Sequence, residues 1–252
     1  MWEAKQPTRV VARSARESHG LKSGRECCYR EVAESCSKTF SSRQGIKLDG
    51  RVVLITGAAG TGKSTLVKSV LERARPFRRL DYGQLLLEHK AGEAGIQMTY
   101  DELRRESGAV ISAAEVFAVD EWVIAQLPAW RAESNIIIDS HPVTKESFGF
   151  RITPYSLDQV SRIAFDAIVV LVGEPAMLAK RISADPQGRP SVSTFQAAFQ
   201  VQLQAAVAAI YAITCARPCF AIDTTELNAE QVVETVLDLL KSLRSLGYHL
   251  IA

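Results

Sequence analysis

Val52-Val53-Leu54-Ile55-Thr56-Gly57-Ala58-Ala59-Gly60-Thr61-Gly62-Lys63-Ser64-Thr65 carries an apolar run straight into a glycine-rich turn that closes on Lys-Ser. Residues 57–64 fit the phosphate-binding pattern G-x-x-x-x-G-K-[ST] at every defined position. The glycines belong there because successive backbone N–H groups can point at one anion only in conformations that a Cβ obstructs. Lys63 adds a mobile positive charge, and Ser64 a hydroxyl suited to Mg²⁺. The helix that begins there offers unpaired N–H groups and a partial positive charge to phosphate. Residues 57–65 are therefore the expected nucleoside triphosphate site.

Outward from this loop, short β-rich runs alternate with helical stretches. Leu66, Val67, Val70 and Leu71 repeat at helical spacing behind Lys63. Strands are expected at 52–56, 78–82, 135–139, 167–172 and 218–223, with helices at 62–75, 109–127, 175–184, 192–214 and 226–245. Ile136-Ile137-Ile138 and Ile168-Val169-Val170-Leu171-Val172 are apolar on both faces, as in strands covered by helices on each side. This alternation predicts an α/β fold: a three-layer sandwich around a central five-stranded parallel sheet. Ligands in such sheets lie beyond the carboxyl ends of the strands. Asp81-Tyr82-Gly83 and Asp139-Ser140-His141 therefore join the loop as places to look for chemistry.

The first 48 residues read differently. They carry ten Lys or Arg against five Glu, are rich in Ser and lack apolar periodicity, so they are expected to form a flexible basic extension. One domain built around the phosphate-binding loop is expected over 49–252. The Arg and Ser enrichment suits an organellar targeting peptide, and the five glutamates argue against one. The five cysteines make neither a C-x-x-C pair nor a disulfide framework, which favours a reducing, cytoplasmic setting. Four scattered histidines offer no zinc spacing, no uninterrupted apolar stretch reaches membrane-spanning length, and the slightly acidic body gives no footprint for specific nucleic-acid binding.

Asp139 ends an apolar strand, from which an acidic side chain can hold Mg²⁺ beside the loop serine. Guanine specificity finds no support, because the Thr144-Lys145 dipeptide continues with Glu and Ser and forms no N/T-K-x-D tetrad.

Five blocks together resemble the nucleoside monophosphate kinases, and within them the archaeal type of adenylate kinase. They are VVLITGAAGTGKSTL at 52–66, LDYGQLLLE at 80–88, YDELRRES at 100–107, IIIDSHPVTKESFGF at 136–150 and FDAIVVLVGEPAMLAKR at 165–181. The resemblance implies reversible transfer of the ATP γ-phosphoryl group to a nucleoside monophosphate, AMP before others, with Mg²⁺. An acceptor phosphate oxygen is already anionic at neutral pH, so such an enzyme has no need of a general base. Charge neutralisation by Lys63 and arginines is the expected work.

By position, the resemblance assigns Arg104, with Arg105 beside it, to the acceptor phosphate. It assigns Asp81, Tyr82 and Gly83 to the turn approaching the acceptor nucleotide, and His141 to orienting Asp139 or a phosphate. Lys145 stands where the family places an arginine, keeping the charge and losing the fork. A short lid is expected near 182–192. Arg181 and Arg189 would close over the γ-phosphate from there, Arg189 lying between Gly188 and Pro190. The apolar stretch containing Val110, Ile111, Ala114, Phe117, Ala118, Glu121 and Trp122 is expected to pack in the core, with an acceptor wall or an oligomer face as alternatives. Two other functions stay open: a kinase acting on a small-molecule hydroxyl, with Asp81 or His141 as base, and an ATP-binding switch or ATPase module that controls a protein partner.

Overall fold

The computed structural model describes residues 50–74, 76–94, 99, 111–185 and 191–245, all within one compact unit, Ile46–His249. The basic extension at 1–48, Arg104, Arg105 and Arg189 lie outside the described residues.

Strand β1 (Val52–Gly57) leads through the loop into helix α1 (Lys63–Arg73), then β2 (Phe77–Asp81) and α2 (Tyr82–Ala94). Helix α3 (Ala113–Glu133) returns the chain to β3 (Asn135–Asp139), followed by a hairpin of β4 (Val143–Glu146) and β5 (Gly149–Ile152). Then come α4 (Leu157–Ile163), β6 (Ala167–Val172), α5 (Pro175–Ser183), α6 (Thr194–Cys215), β7 (Cys219–Asp223) and α7 (Ala229–Ser245). The large sheet runs β2-β3-β1-β6-β7, parallel throughout, with Ile55 opposite Asp139 and Val169 across the two central pairings. This is a three-layer α/β sandwich, as its alternating pattern predicts.

The layers follow from the twofold alternation of the strands. Val52, Leu54, Ile136, Ile138, Ile168 and Val170 face one core with Val123, Leu127, Phe165 and Tyr211. Val53, Ile55, Ile137, Val169 and Leu171 face the other, with Leu66, Val67 and Val70 of α1 and Val233, Val236 and Leu240 of α7. Four of the described helices start on reciprocal caps, Ser112 with Glu115, Ser156 with Gln159, Ser193 with Gln196, and Asn228 with Gln231. Each supplies two of the first-turn N–H groups with partners, a contribution of about 1 kcal/mol.

Several expectations need correction. The second strand stops at Asp81, one residue early, and Tyr82 and Gly83 form the first turn of α2 rather than a loop. Asp81 accepts from Gln84 N at 3.3 Å there, so the acidic residue ends the strand by starting the helix. Phe117 and Trp122, expected in the core, are 54% and 51% exposed, while Val119, Val123, Ile124 and Leu127 of the opposite stripe are buried. The capping box sets the helix start at Ala113, and the core-facing stripe includes a charged residue, Asp120, that hides it from a reading of apolar spacing. Helix α6, 22 residues containing an 18-residue window of mean hydropathy 1.4, is long and apolar enough to cross a membrane by length and composition. Here its buried face carries Gln200, Gln204, Val207 and Tyr211 into the protein core.

Candidate active site

The glycine loop has the backbone its sequence demands. Gly60 and Gly62 sit at φ 80° and 83°, the left-handed region closed to most side chains. A Cβ on Gly57 would stand 2.9 Å from Thr61 Oγ1 and 3.0 Å from Leu171 Cβ. Thr61 folds the loop back on itself, its hydroxyl donating to Ala58 O at 2.8 Å. Gly62 is the N-cap of α1 and brings no side-chain cap, and no acidic residue stands in the first turn. The N-terminal N–H groups of that helix are left to an anion. Ala58 is buried beneath the loop, Ala59 faces a cavity, and Ser64 and Thr65 are exposed in the first turn of α1.

Lys63 and Asp139 form a buried ion pair, Nζ against Oδ1, at 5% and 4% exposure. The other carboxylate oxygen of Asp139 accepts from Arg79, with Nη2 at 2.6 Å and Nε at 3.1 Å. Arg79 also reaches Asp81 at 2.7 Å. The carboxyl ends of β1, β2 and β3 thus share one chain of alternating charge: Lys63, Asp139, Arg79, Asp81. Arg79 was not expected. It sits inside a strand among ordinary polar residues, and only the pairing of Asp81 with Asp139 across β2 and β3 brings it to the site.

Ser64 and Asp139 suit a hard cation that arrives on a nucleotide, with phosphate oxygens and water supplying most of its ligands. Among the described residues, no group of three or more His, Cys, Asp or Glu could hold an ion alone.

Arg181, from α5, lies over the loop, where Nη1 donates to Gly60 O at 3.3 Å and Nη2 to Thr224 O at 3.5 Å. Its guanidinium is therefore placed against the glycine loop. Of the expected lid near 182–192, residues 182–185 and 191–192 are described, and the segment 186–190, with Arg189, lies outside the described residues.

A cavity of about 220 Å³ runs from Gly57 and Ala59 of the loop to Tyr82 and Gly83 of α2. His141 and Lys145 line it as well. The Lys145 ammonium turns toward Glu146 O at 2.5 Å and over the Phe150 ring at 5.7 Å. His141 is exposed at the cavity mouth rather than packed in the core.

The sequence reading missed the inner wall. Asp120 of α3, Arg151 of β5, Tyr155, and Gln200 and Tyr211 of α6 all line it. Arg151 donates to Ile111 O at 2.8 Å and lies 3.4 Å from Glu146. Burial pushes the Asp120 carboxyl up to about 7; the Tyr82 phenol opposes that rise and Glu121 adds to it. Tyr82 and Tyr155 are raised well above the usual phenol range, again chiefly by burial.

Residues 56–195 match the protein family described as AAA domain. Among curated relatives, the adenylate kinase of Pyrococcus furiosus is 28% identical over 145 residues, 57% of this chain and 70% of that protein. The adenylate kinase of Methanoculleus marisnigri is 25% identical over 198 residues, covering 76% and 99%. Among solved structures, the shikimate kinase of Bacteroides thetaiotaomicron superposes with a TM-score of 0.51 at 20% identity, covering 77% of this chain and 98% of that one, a likeness of fold. With a glycine loop shaped for phosphate, a lysine at its end and an arginine laid across it, the chain belongs to the AAA domain family and is a P-loop kinase, an ATP-dependent phosphotransferase.

Proposed function

We propose that this kinase transfers the γ-phosphoryl group of ATP to a nucleoside monophosphate, AMP before others. The observation that carries the reading is the continuous cavity, which starts at Gly57 and Ala59 and extends to Tyr82, Gly83, His141 and Lys145. A triphosphate tail gripped by residues 57–65 points into the same space that would receive an acceptor. The archaeal adenylate kinases among its relatives make AMP the first acceptor to test.

The residues divide the work as in-line transfer requires. Backbone N–H groups of the loop, Lys63 and Arg181 bind and orient the donor phosphates. Arg104 and Arg105 are assigned to the acceptor phosphate by their place in the sequence, with Lys145 contributing charge. Ser64, with Asp139 nearby, would hold Mg²⁺ brought in by the nucleotide, and the ion would supply charge neutralisation. Asp139 and Arg79 hold Lys63 in reach of the loop, and a phosphate entering it offers Lys63 a second anion. Because the acceptor oxygen is anionic, no side chain has to remove a proton.

The test is a coupled assay of purified protein with ATP and each common monophosphate, and with small hydroxyl compounds in parallel. Turnover that rises by orders of magnitude with AMP is the expected result. Turnover only with an alcohol would replace this reading with that of a hydroxyl kinase. Slow hydrolysis without any acceptor dependence would point to an ATP-driven switch.

A further inference from the structure

Helix α6 carries two glutamines on its buried face, Gln200 and Gln204, in line with Val207, Ala208 and Tyr211, which pack in the core. Gln200 lines the cavity. Gln204, one turn on, is 1% exposed, and its amide Nε2 donates to the hydroxyl of Thr56, itself fully buried near the carboxyl end of β1. That hydroxyl donates in turn to Ser140 O at 2.9 Å. A hydroxyl has one proton to give. Because Ser140 takes it, Gln204 must face Thr56 with its amide N–H, and the Gln204 Oε1 atom is left buried with no hydrogen-bond partner. An unpaired buried acceptor lowers stability, so packing alone accounts poorly for a glutamine here.

This string of bonds crosses the site at its root. Thr56 precedes Gly57 of the glycine loop, and Ser140 follows Asp139, the partner of Lys63. The parallel register of β1 with β3 ends with Ile55 opposite Asp139. One residue further, the Thr56 side chain supplies the next link between the two strands. Thr56 continues the row of Val52 and Leu54 that faces the layer of α6, a place where one more apolar residue would fill the core. In the free protein the Lys63–Asp139 pair also holds the end of β3. A phosphate in the loop competes with Asp139 for Lys63, and the Thr56–Ser140 bond then carries more of the work of keeping Asp139 beside the loop.

We propose that Gln204 is a positioning residue for phosphoryl transfer: by turning the Thr56 hydroxyl onto Ser140 O, it holds the exit of β3, with Asp139, against the root of the glycine loop. The inference rests on transfer from ATP and not on which acceptor receives the group. Without the Gln204 amide, the Thr56 hydroxyl loses the donor that fixes its direction and is free to turn away from Ser140. A shift of about 1 Å in a group beside the reacting phosphoryl costs up to about a hundredfold in rate. ATP itself is gripped by the loop N–H groups and Lys63, none of which touches Gln204, so its binding is expected to change little.

Steady-state kinetics with ATP and whichever acceptor the wild type uses fastest, water included, test this on Gln204→Leu, Thr56→Val, Thr56→Ser and the double variant Gln204→Leu/Thr56→Val, with urea midpoints measured alongside. Gln204→Leu and Thr56→Val are each expected to lower kcat about ten- to a hundredfold and to change KM for ATP by less than about twofold. Thr56→Ser keeps the hydroxyl and is expected to hold kcat within about threefold of the wild type. Both losses act through one string of bonds, so the double variant is expected to fall no lower than Thr56→Val. The urea midpoint of Gln204→Leu is expected to equal or exceed that of the wild type, because leucine removes the unpaired acceptor. The inference is overturned if Gln204→Leu keeps the wild-type kcat, if its kcat falls only in step with its urea midpoint, or if its loss adds in full to that of Thr56→Val. The wild type alone decides the acceptor, so this inference and the monophosphate reading can each fail without the other.

Discussion

Lys63, Asp139 and Arg79 form a chain of charge that is buried at Lys63 and Asp139 and open to solvent at Arg79, with Asp139 paired to both cations. Removing Asp139 takes the carboxylate from between two cations, whereas removing Lys63 leaves Asp139 still held by Arg79. Asp139→Asn is expected to lower unfolding free energy by about 3 kcal/mol or more, and Lys63→Met by distinctly less, in urea denaturation. Both should cut turnover at least about 100-fold, because each disturbs the charge that meets the transferred phosphoryl group. Asp120 makes a second prediction at this scale. Its folded pKa, about 7, is raised above the ordinary 3.8, so the unfolded chain gives up this proton first as pH rises. The neutral carboxyl costs nothing extra below about pH 4. A penalty then grows until about pH 7, reaching about 4 kcal/mol in the limit. Thermal melts between pH 5 and pH 8 should show a falling Tm in the wild type and a flatter profile in Asp120→Asn.

Helix α3 joins the inner wall of the cavity to the sheet, and its N-terminus shows how an element sets a site. Ser112 caps it by accepting from Glu115 N, and the Glu115 carboxylate returns to Ser112 N at 2.7 Å. Lys90 of α2 then grips Glu115 at 2.5 Å, tying the two helices that carry Tyr82 and Asp120. Hydrogen bonding from Lys90, before that from Ser112, holds the Glu115 carboxyl down at about 2. A depressed carboxyl contributes stability that is present above its ordinary pKa near 4.5 and lost as pH falls toward about 2. Lys90→Met should narrow the difference in denaturant midpoint between pH 7 and pH 3. Ser112→Ala should cost about 1 kcal/mol at pH 7 and raise acceptor KM more than KM for ATP, since α3 meets only the acceptor end of the cavity.

For the molecule as a whole, the two ends of the cavity predict linked occupancy. A ligand that binds only the folded state stabilises it by about 2.7 kcal/mol at a hundred times its Kd. A bisubstrate compound joining adenosine groups through a polyphosphate should raise Tm well beyond ATP at equal saturation, because it engages the loop and the inner wall together. Alanine at Lys63 should weaken this shift, as should leucine at Asp120. A truncated chain beginning near residue 49 should keep the Tm and ATP binding of the full chain, consistent with a domain that begins at β1. An unchanged Tm with bisubstrate compound would contradict the shared site.

What the amino-acid sequence settles here is local and periodic. The glycine loop is legible because φ near 80° at Gly60 and Gly62 tolerates so few residues that the pattern itself is diagnostic. The three central strands, β3, β1 and β6, are legible because burial on both faces leaves them almost wholly apolar. The hairpin of β4 and β5 and the short helix α4 went unread, since Val143–Ile152 mixes charged and aromatic residues without a clean period and α4 spans only seven residues. Arg79, Asp120, Arg151 and Tyr155 stand as unremarkable residues in their own segments. Only the parallel register of β2 with β3, and the packing of α3 and α6 over one face of the sheet, places them around one cavity. Donor binding is written in a contiguous loop because one anion is held by consecutive backbone N–H groups. The inner wall of the cavity was decided by tertiary structure, because its side chains, from Tyr82 to Tyr211, lie up to about 130 residues apart in the chain and meet only after the sheet and helices pack.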